Sequence, residues 1–335
     1  MRTRVYERFV ILGGDGVFGV HMAKLLLSKP TTKKVISIGR NTRKHSAFTL
    51  GIGNQDLRFN YFQFHLLHDL ELLIDKLDEV KPECIINFAG IAYATSWKNS
   101  SHYYNTNLVA LAKITEILLS KNYFKHWMQI GSAEVYGSAS EMASTELDLP
   151  NPTSPYAVSK LAADLHLKTY FDAADFPMNI IRPCNSYGPG QPLYRVIPKA
   201  VLHGLNNEAF PLEGGGKVLK TYMHAKDMAE AIFQIIRSAP LGEIYNAGTN
   251  DIFSIKDIVE KIGFLLNLDP KKFIQVVEGR RTEDFKYWLD SNKIKSELNW
   301  EPKISLDQGL QEMISWVKEN KDYLNSSSRV FQLRT

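Results

Sequence analysis

The stretch Gly13-Gly-Asp-Gly16-Val-Phe-Gly19 follows directly on the apolar run at 9–12, and it restricts the chain more than any other segment. Three glycines spaced by two residues let a chain leave a buried strand in a tight turn and enter a helix packed close against that strand. The amides at the start of that helix point outward, bare of side chains, and suit a pyrophosphate. Glycines also occur in plain tight turns, so the setting decides. Here the setting is an alternation of short apolar strands, at 9–12, 35–38, 59–64, 84–88, 127–130 and 179–182, with amphipathic helices at 17–27, 70–77, 104–119 and 156–171. Such alternation predicts an α/β fold, a doubly wound parallel sheet covered by helices on both faces.

After Pro183 the pattern changes. Pro and Gly gather at Pro183, Gly188, Pro189, Gly190 and Pro192, the segment Glu213-Gly-Gly-Gly216 is loop-like, and helices follow at 197–203, 227–237, 254–266 and 305–318. The expected organisation is a dinucleotide-binding domain at 1–182 plus about 221–252, with one return to the sheet near 244–247. A smaller mixed α/β lobe occupies about 183–220 plus 253–320, and 325–335 is a polar, mobile tail. A length of 335 residues has room for both. The net charge of +4 is scattered along the chain, which argues against a nucleic-acid surface. Cys84 and Cys184 sit in apolar contexts without a C-x-x-C pair or a histidine cluster, so they read as buried thiols with no disulfide and no metal. Neither a signal peptide nor an apolar run of membrane-spanning length is evident, and a cytoplasmic location is expected.

Two further motifs carry chemistry. Tyr156-Ala-Val-Ser-Lys160 lies on a predicted helix, where an i, i+4 pair shares one face. A phenol, ordinarily titrating near pH ~10, becomes a usable base or acid when a neighbouring ammonium lowers its pKa. The strand at 127–130 runs into Gly131-Ser132-Ala133-Glu134-Val-Tyr136-Gly137. Together with the G-x-x-G-x-x-G turn, these motifs resemble the extended short-chain dehydrogenases, the nucleotide-sugar epimerase/dehydratase family with a Rossmann-type fold. Asn87-Phe-Ala-Gly90, Arg182-Pro-Cys-Asn185-Ser-Tyr187-Gly-Pro, Gly214-Gly-Gly216…Lys220-Thr-Tyr-Met-His224…Asp227 and Arg280-Arg281…Asp284 are similar to other elements of that family, so the likeness runs from Phe9 to about Lys318.

The resemblance implies a set of roles. Tyr156 is the base for hydride transfer, Lys160 lies beneath the cofactor ribose, and Ser132 bonds the sugar hydroxyl being oxidised. Gly13, Gly16, Val17, Phe18, Gly19, Ala89 and Asn107 contact the cofactor, and Ser96, Asn185, Lys220, Arg280 and Arg281 contact a nucleotide-diphosphate sugar. The acidic residue that often closes the second strand and holds the adenosine ribose is missing. Gly39 stands there, followed by Arg40, Arg43 and Lys44. Guanidiniums without a carboxylate suit a 2′-phosphate, which favours NADP over NAD; loop charges in water are the alternative. His65 stands where relatives carry an Asp near the adenine.

The reaction turns on few residues. Glu134 has the place of the base that removes the C5 proton in hexose 4,6-dehydratases, while Ala133 beside it has no proton to give. A 4,6-dehydratase is expected first, then a 4-epimerase, then a decarboxylase or 4-ketoreductase, with a non-catalytic NADP-binding sensor as the alternative of another class. The resemblance further implies a homodimer through the helices at 104–119 and 156–171. Leu161, Leu165 and Leu167 serve either that contact or packing on the sheet.

Overall fold

A computed structural model describes residues 3–53, 55–91, 99–139, 141–279 and 286–330. Its first six strands are β1 (Arg8–Leu12), β2 (Lys34–Gly39), β3 (Phe59–Gln63), β4 (Cys84–Asn87), β5 (His126–Ile130) and β6 (Met178–Pro183). They are followed by β7 (Asn185–Tyr187), β8 (Phe210–Glu213), β9 (Leu219–His224), β10 (Ile244–Ala247), β11 (Ile252–Ser254), β12 (Ile274–Val277) and β13 (Lys286–Tyr287). Seven of these form a sheet in the order β10-β6-β5-β4-β1-β2-β3, with every pairing parallel. This is the expected doubly wound sheet.

The strands explain themselves by burial. In β1, Phe9 and Ile11 face one layer while Val10 and Leu12 face the other, so each strand is apolar throughout rather than alternating. The helices Val17–Ser28 and Ala225–Ser238 cover the first face, with Val20, Met22, Ile232 and Ile235 in its core. Leu70–Val80, Ala110–Leu118 and Pro155–Ala174 cover the second through Leu73, Leu111, Ala163 and Leu167. Strand order runs outward from β1 in both directions, to β2 on one side and β4 on the other. The connections therefore diverge there and leave a crevice at the carboxyl ends of the strands.

The smaller lobe has its own core of Ile197, Val201, Ile258, Ile262, Met313 and Val317. Its helices Ile255–Leu265 and Leu306–Glu319 both begin with a capping box, Ser254 with Asp257 and Ser305 with Gln308. β9 lies centrally between β11 and β13 and also pairs with β7, then runs straight into the helix that covers the large sheet. The return to the sheet falls at β10, beside β6. Residues 221–224 and 252 lie in β9 and β11, outside the seven-stranded sheet. The short lobe strands went unforeseen because three- and four-residue segments show no readable periodicity.

Two local features differ from the sequence reading, and a third was not foreseen. The helix expected at 104–119 contains a wide π turn at Asn105–Val109 between Ser100–Tyr104 and Ala110–Leu118. The tail is held as far as Arg329, whose Nη1 donates to Glu208 Oε2 at 2.5 Å, while Asn325 Oδ1 accepts from Asn206 Nδ2 at 2.7 Å. The C-terminal helices also grip the loop after β2: Trp316 Nε1 donates to Ala47 O at 2.9 Å, and His45 stacks on Tyr323 with ring centroids 3.6 Å apart. Both cysteines are buried and unpaired, and among the described residues no helix is long and apolar enough to cross a membrane.

Candidate active site

The crevice opens into a cavity of about 670 Å³ that runs from the glycine turn and the loops after β2 and β3, past β4 and β5, to the lobe. That volume suits a ligand larger than a lone nucleotide base. The glycine turn forms one wall. Gly13 has φ +74°, and a Cβ on it would stand 2.7 Å from Ala89 N; one on Gly19 would stand 2.7 Å from Gly13 O. Side chains are thus excluded where backbone meets backbone. Gly16 caps the helix Val17–Ser28, whose first turn holds no acidic residue to neutralise its amide end. Bare amides over an open cavity fit a dinucleotide pyrophosphate. Gly13, Gly16, Val17, Phe18, Gly19 and Ala89 all line it.

The reacting end is built from the ends of rigid elements. Ser132 follows β5 and caps a single 3₁₀ turn, its Oγ accepting from Glu134 N at 3.2 Å. Ser154 caps the helix Pro155–Ala174 by accepting from Ala157 N at 3.1 Å, with Pro155 in the first turn where its missing N–H costs nothing. Tyr156 and Lys160 then project from one face, and the Tyr156 phenol bonds the Ser132 hydroxyl. Lys160 Nζ donates to Ile130 O, and Ser132, Glu134, Tyr156 and Lys160 share the cavity wall.

The electrostatics correct one expectation. Lys160 does not bring the Tyr156 pKa down; burial pushes it up, and the Glu134 carboxylate pushes the same way. The Ser132 hydrogen bond and the Arg195 guanidinium oppose the rise without overcoming it. Lys160 itself is lowered to about 8 by burial, with Asp164 one turn on pulling it back up. Asp164 in turn is held by Arg182, Nε to Oδ2 at 2.9 Å, and Arg182 donates on to Tyr136 Oη at 2.7 Å, which donates to Asn246 Oδ1 at 3.0 Å. This buried chain fixes the floor beneath Ser132.

Asn107 does not line the cavity. Its Oδ1 accepts from Ile91 N at 2.9 Å, and its Nδ2 donates to Ser159 Oγ at 2.8 Å. It sits in the π turn and ties the loop after β4 to the Tyr156 helix.

At the opposite end Arg40 and Lys44 line the cavity, but Arg43 does not. Its guanidinium donates to Ile52 O and lies over the Phe59 ring, 5.1 Å from the centroid. Gly39 has a steric reason: a Cβ there would stand 2.6 Å from Tyr61 Oη. His65 lines the wall, and its Nδ1 accepts from Leu67 N and His68 N at 3.2 and 3.3 Å, which leaves the neutral ring's proton on Nε2. It offers a donor where an Asp would offer an acceptor.

At the lobe, Asn185 and Lys220 reach the cavity, Lys220 with its Nζ 5.5 Å from the Tyr287 ring centroid. Ser96, Arg280 and Arg281 lie outside the described residues. Sequence reasoning assigned no site role to Asp15 and Arg195, both of which line the cavity. Asp15 stood in plain view inside the glycine pattern, and Arg195 between the Pro and Gly cluster and the helix expected at 197–203.

A parallel sheet with a glycine cradle and a Ser–Tyr–Lys centre at its carboxyl edge defines an extended short-chain dehydrogenase. Residues 10–313 match the model of the GDP-mannose 4,6-dehydratase family, and the chain belongs to that family. It is 28% identical to the dTDP-D-glucose 4,6-dehydratase of Dictyostelium discoideum, over 95% of this chain and 83% of that protein. It is 26% identical to the human dTDP-D-glucose 4,6-dehydratase, over 94% and 91% of the two chains. The crystal structure of the Bacillus anthracis dTDP-glucose 4,6-dehydratase in complex with NAD superposes with a TM-score of 0.87 at 28% identity, covering 96% of this chain and 99% of that one.

Proposed function

We propose that this chain is a nicotinamide-dependent nucleotide-sugar 4,6-dehydratase. The observation that carries the reading is the single wall on which Ser132, Tyr156 and Lys160 stand with Glu134 one turn away. A bound nicotinamide supplies the acceptor, and later the donor, of the hydride. Ser132 orients the sugar C4 hydroxyl, and Tyr156, bonded to Ser132, takes its proton. Once C4 is a carbonyl the C5 proton is acidified; Glu134 removes it and passes it to the departing C6 hydroxyl, which leaves as water, and the hydride then returns to C6 as C5 takes up a proton. Asn185, Lys220 and Arg195 bind the nucleotide sugar from the lobe side, joined by Ser96, Arg280 and Arg281. Gly13, Gly16, Val17, Phe18, Gly19, Ala89 and Arg40 hold the dinucleotide.

A 4-epimerase is the second reading, favoured by Ala133, which lines the cavity and offers no acid for the leaving hydroxyl. The experiment is incubation with UDP-, dTDP-, GDP- and CDP-hexoses, followed by mass spectrometry. Loss of one water supports the dehydratase; unchanged mass with inverted C4 replaces it by the epimerase. In Glu134→Gln, elimination should fall about 10²–10⁴-fold while hydride exchange at C4 survives. Unchanged elimination would remove Glu134 from the role.

The functional unit we propose is a cytoplasmic homodimer. Val109, Val158 and Leu165 stand exposed on the two helices expected at its interface, whereas Leu167 is fully buried against the sheet. A sedimentation measurement that finds only monomer would refute the dimer.

A further inference from the structure

We propose that Asp15, inside the glycine turn, is the carboxylate that receives the adenosine ribose hydroxyls and so selects NAD over NADP. The inference rests on the dinucleotide reading above and names what decides the cofactor at its adenosine end.

Asp15 is only 7% exposed, yet it lines the cavity. Its Oδ2 accepts from Lys44 N at 2.6 Å and its backbone oxygen accepts from Lys44 Nζ at 2.8 Å, so the side chain is pinned against the loop after β2. Its other oxygen, Oδ1, accepts no hydrogen bond among the described residues and is not sealed from solvent. A rigidly held carboxylate with one open acceptor, next to a pyrophosphate cradle, matches a vicinal diol.

The surroundings leave this role to Asp15. A Cβ at Gly39 would stand 2.6 Å from Tyr61 Oη, which donates to Asn41 O at 2.5 Å, so an acid there would have to displace that bond. The Asp15 charge is felt across this gap, since Tyr61 is raised to about 12 by burial and then by Asp15. Two of the three cations that follow β2 are held by the protein, while Arg40 stays on the cavity wall. Arg43 turns to Ile52 and Phe59, and Lys44 bonds the Asp15 backbone. A phosphate monoester beside a half-enclosed carboxylate meets like charge at short range.

Binding of NADH and NADPH to the purified full chain, read by titration calorimetry, tests this without turnover. The wild type should bind NADH at least about 10²-fold more tightly, and Asp15→Asn, which keeps an oxygen for Lys44 N, should narrow the ratio at least tenfold. Competition by 5′-AMP and adenosine 2′,5′-bisphosphate isolates the adenosine end, and the same narrowing is expected there. Equal affinities in the wild type, or a ratio unmoved by Asp15→Asn, would overturn the proposal. A parallel loss of both ligands in the variant would assign Asp15 to loop support and overturn it too. Wild type that binds neither dinucleotide would bring down the dinucleotide reading first.

Discussion

The two ends of the cavity are built on different principles. At the reacting end, Ser132, Tyr156 and Lys160 come from a strand terminus and the first turns of a helix, each with its own cap. Their directions follow from the period of the element that carries them. At the adenosine end, Asp15, Arg40, Arg43, Lys44 and His65 sit on turns, where neighbours in sequence face opposite ways. Arg40 lines the cavity and Arg43, three residues on, packs beneath the loop. The Ser–Tyr–Lys centre stands on elements whose geometry is regular, and the far end of the cavity stands on loops whose geometry is particular.

Mutation and pH can break this contrast. The largest effect should come from Tyr156→Phe, which keeps the ring in its buried site and removes the proton acceptor. Turnover should fall about 10²–10⁴-fold with NADH binding retained. A variant that still turns over normally would mean the reacting end lies elsewhere.

Next in size is a pH effect. Lys160 holds its proton only below about 8 in the folded chain, against an ordinary 10.5. As pH rises through about 8 the ammonium is lost, and kcat/KM should decline about tenfold per unit beyond it. Stability moves the other way. Between about 8 and 10.5 the unfolded chain binds a proton that the folded chain does not, so the Lys160 contribution rises with pH over that window. Lys160→Arg, which cannot deprotonate, should flatten the alkaline limb while lowering the plateau. A limb that persists in that variant would belong to another group.

The smallest effect is expected at Arg43→Ala. Losing its bond to Ile52 O and its place over Phe59 should cost on the order of 1 kcal/mol in urea denaturation. The ratio of NADH to NADPH affinity should stay put. A tenfold shift in that ratio would put Arg43 back at the cofactor.

The same contrast explains what could be read from the sequence. The parallel sheet, its glycine turn and the Tyr156–Lys160 face were all legible, because spacing in a strand or helix converts directly into direction. Asp15 was passed over because the ribose carboxylate is expected at the end of the second strand, where Gly39 stands. The hydrogen bonds of Asn107 to Ile91 and Ser159 were not legible, because a motif marks a position and not the way its side chain turns within a π turn. The Tyr156 pKa was misjudged for a different cause. Burial outweighs the neighbouring charges, and burial belongs to the assembled fold, not to any one motif.

The clasp between the C-terminal helices and the loop after β2 bears on how the molecule can move. Trp316 and Tyr323 hold Ala47 and His45, a few residues past the Arg40–Lys44 turn that borders the adenosine end. The smaller lobe therefore also steadies one edge of the cavity. Any displacement of the lobe would have to strain these contacts, and by reciprocity whatever settles the turn would also settle the lobe. In an enzyme that lends a hydride to a sugar and takes it back, such a tether discourages the lender from leaving before the loan is returned.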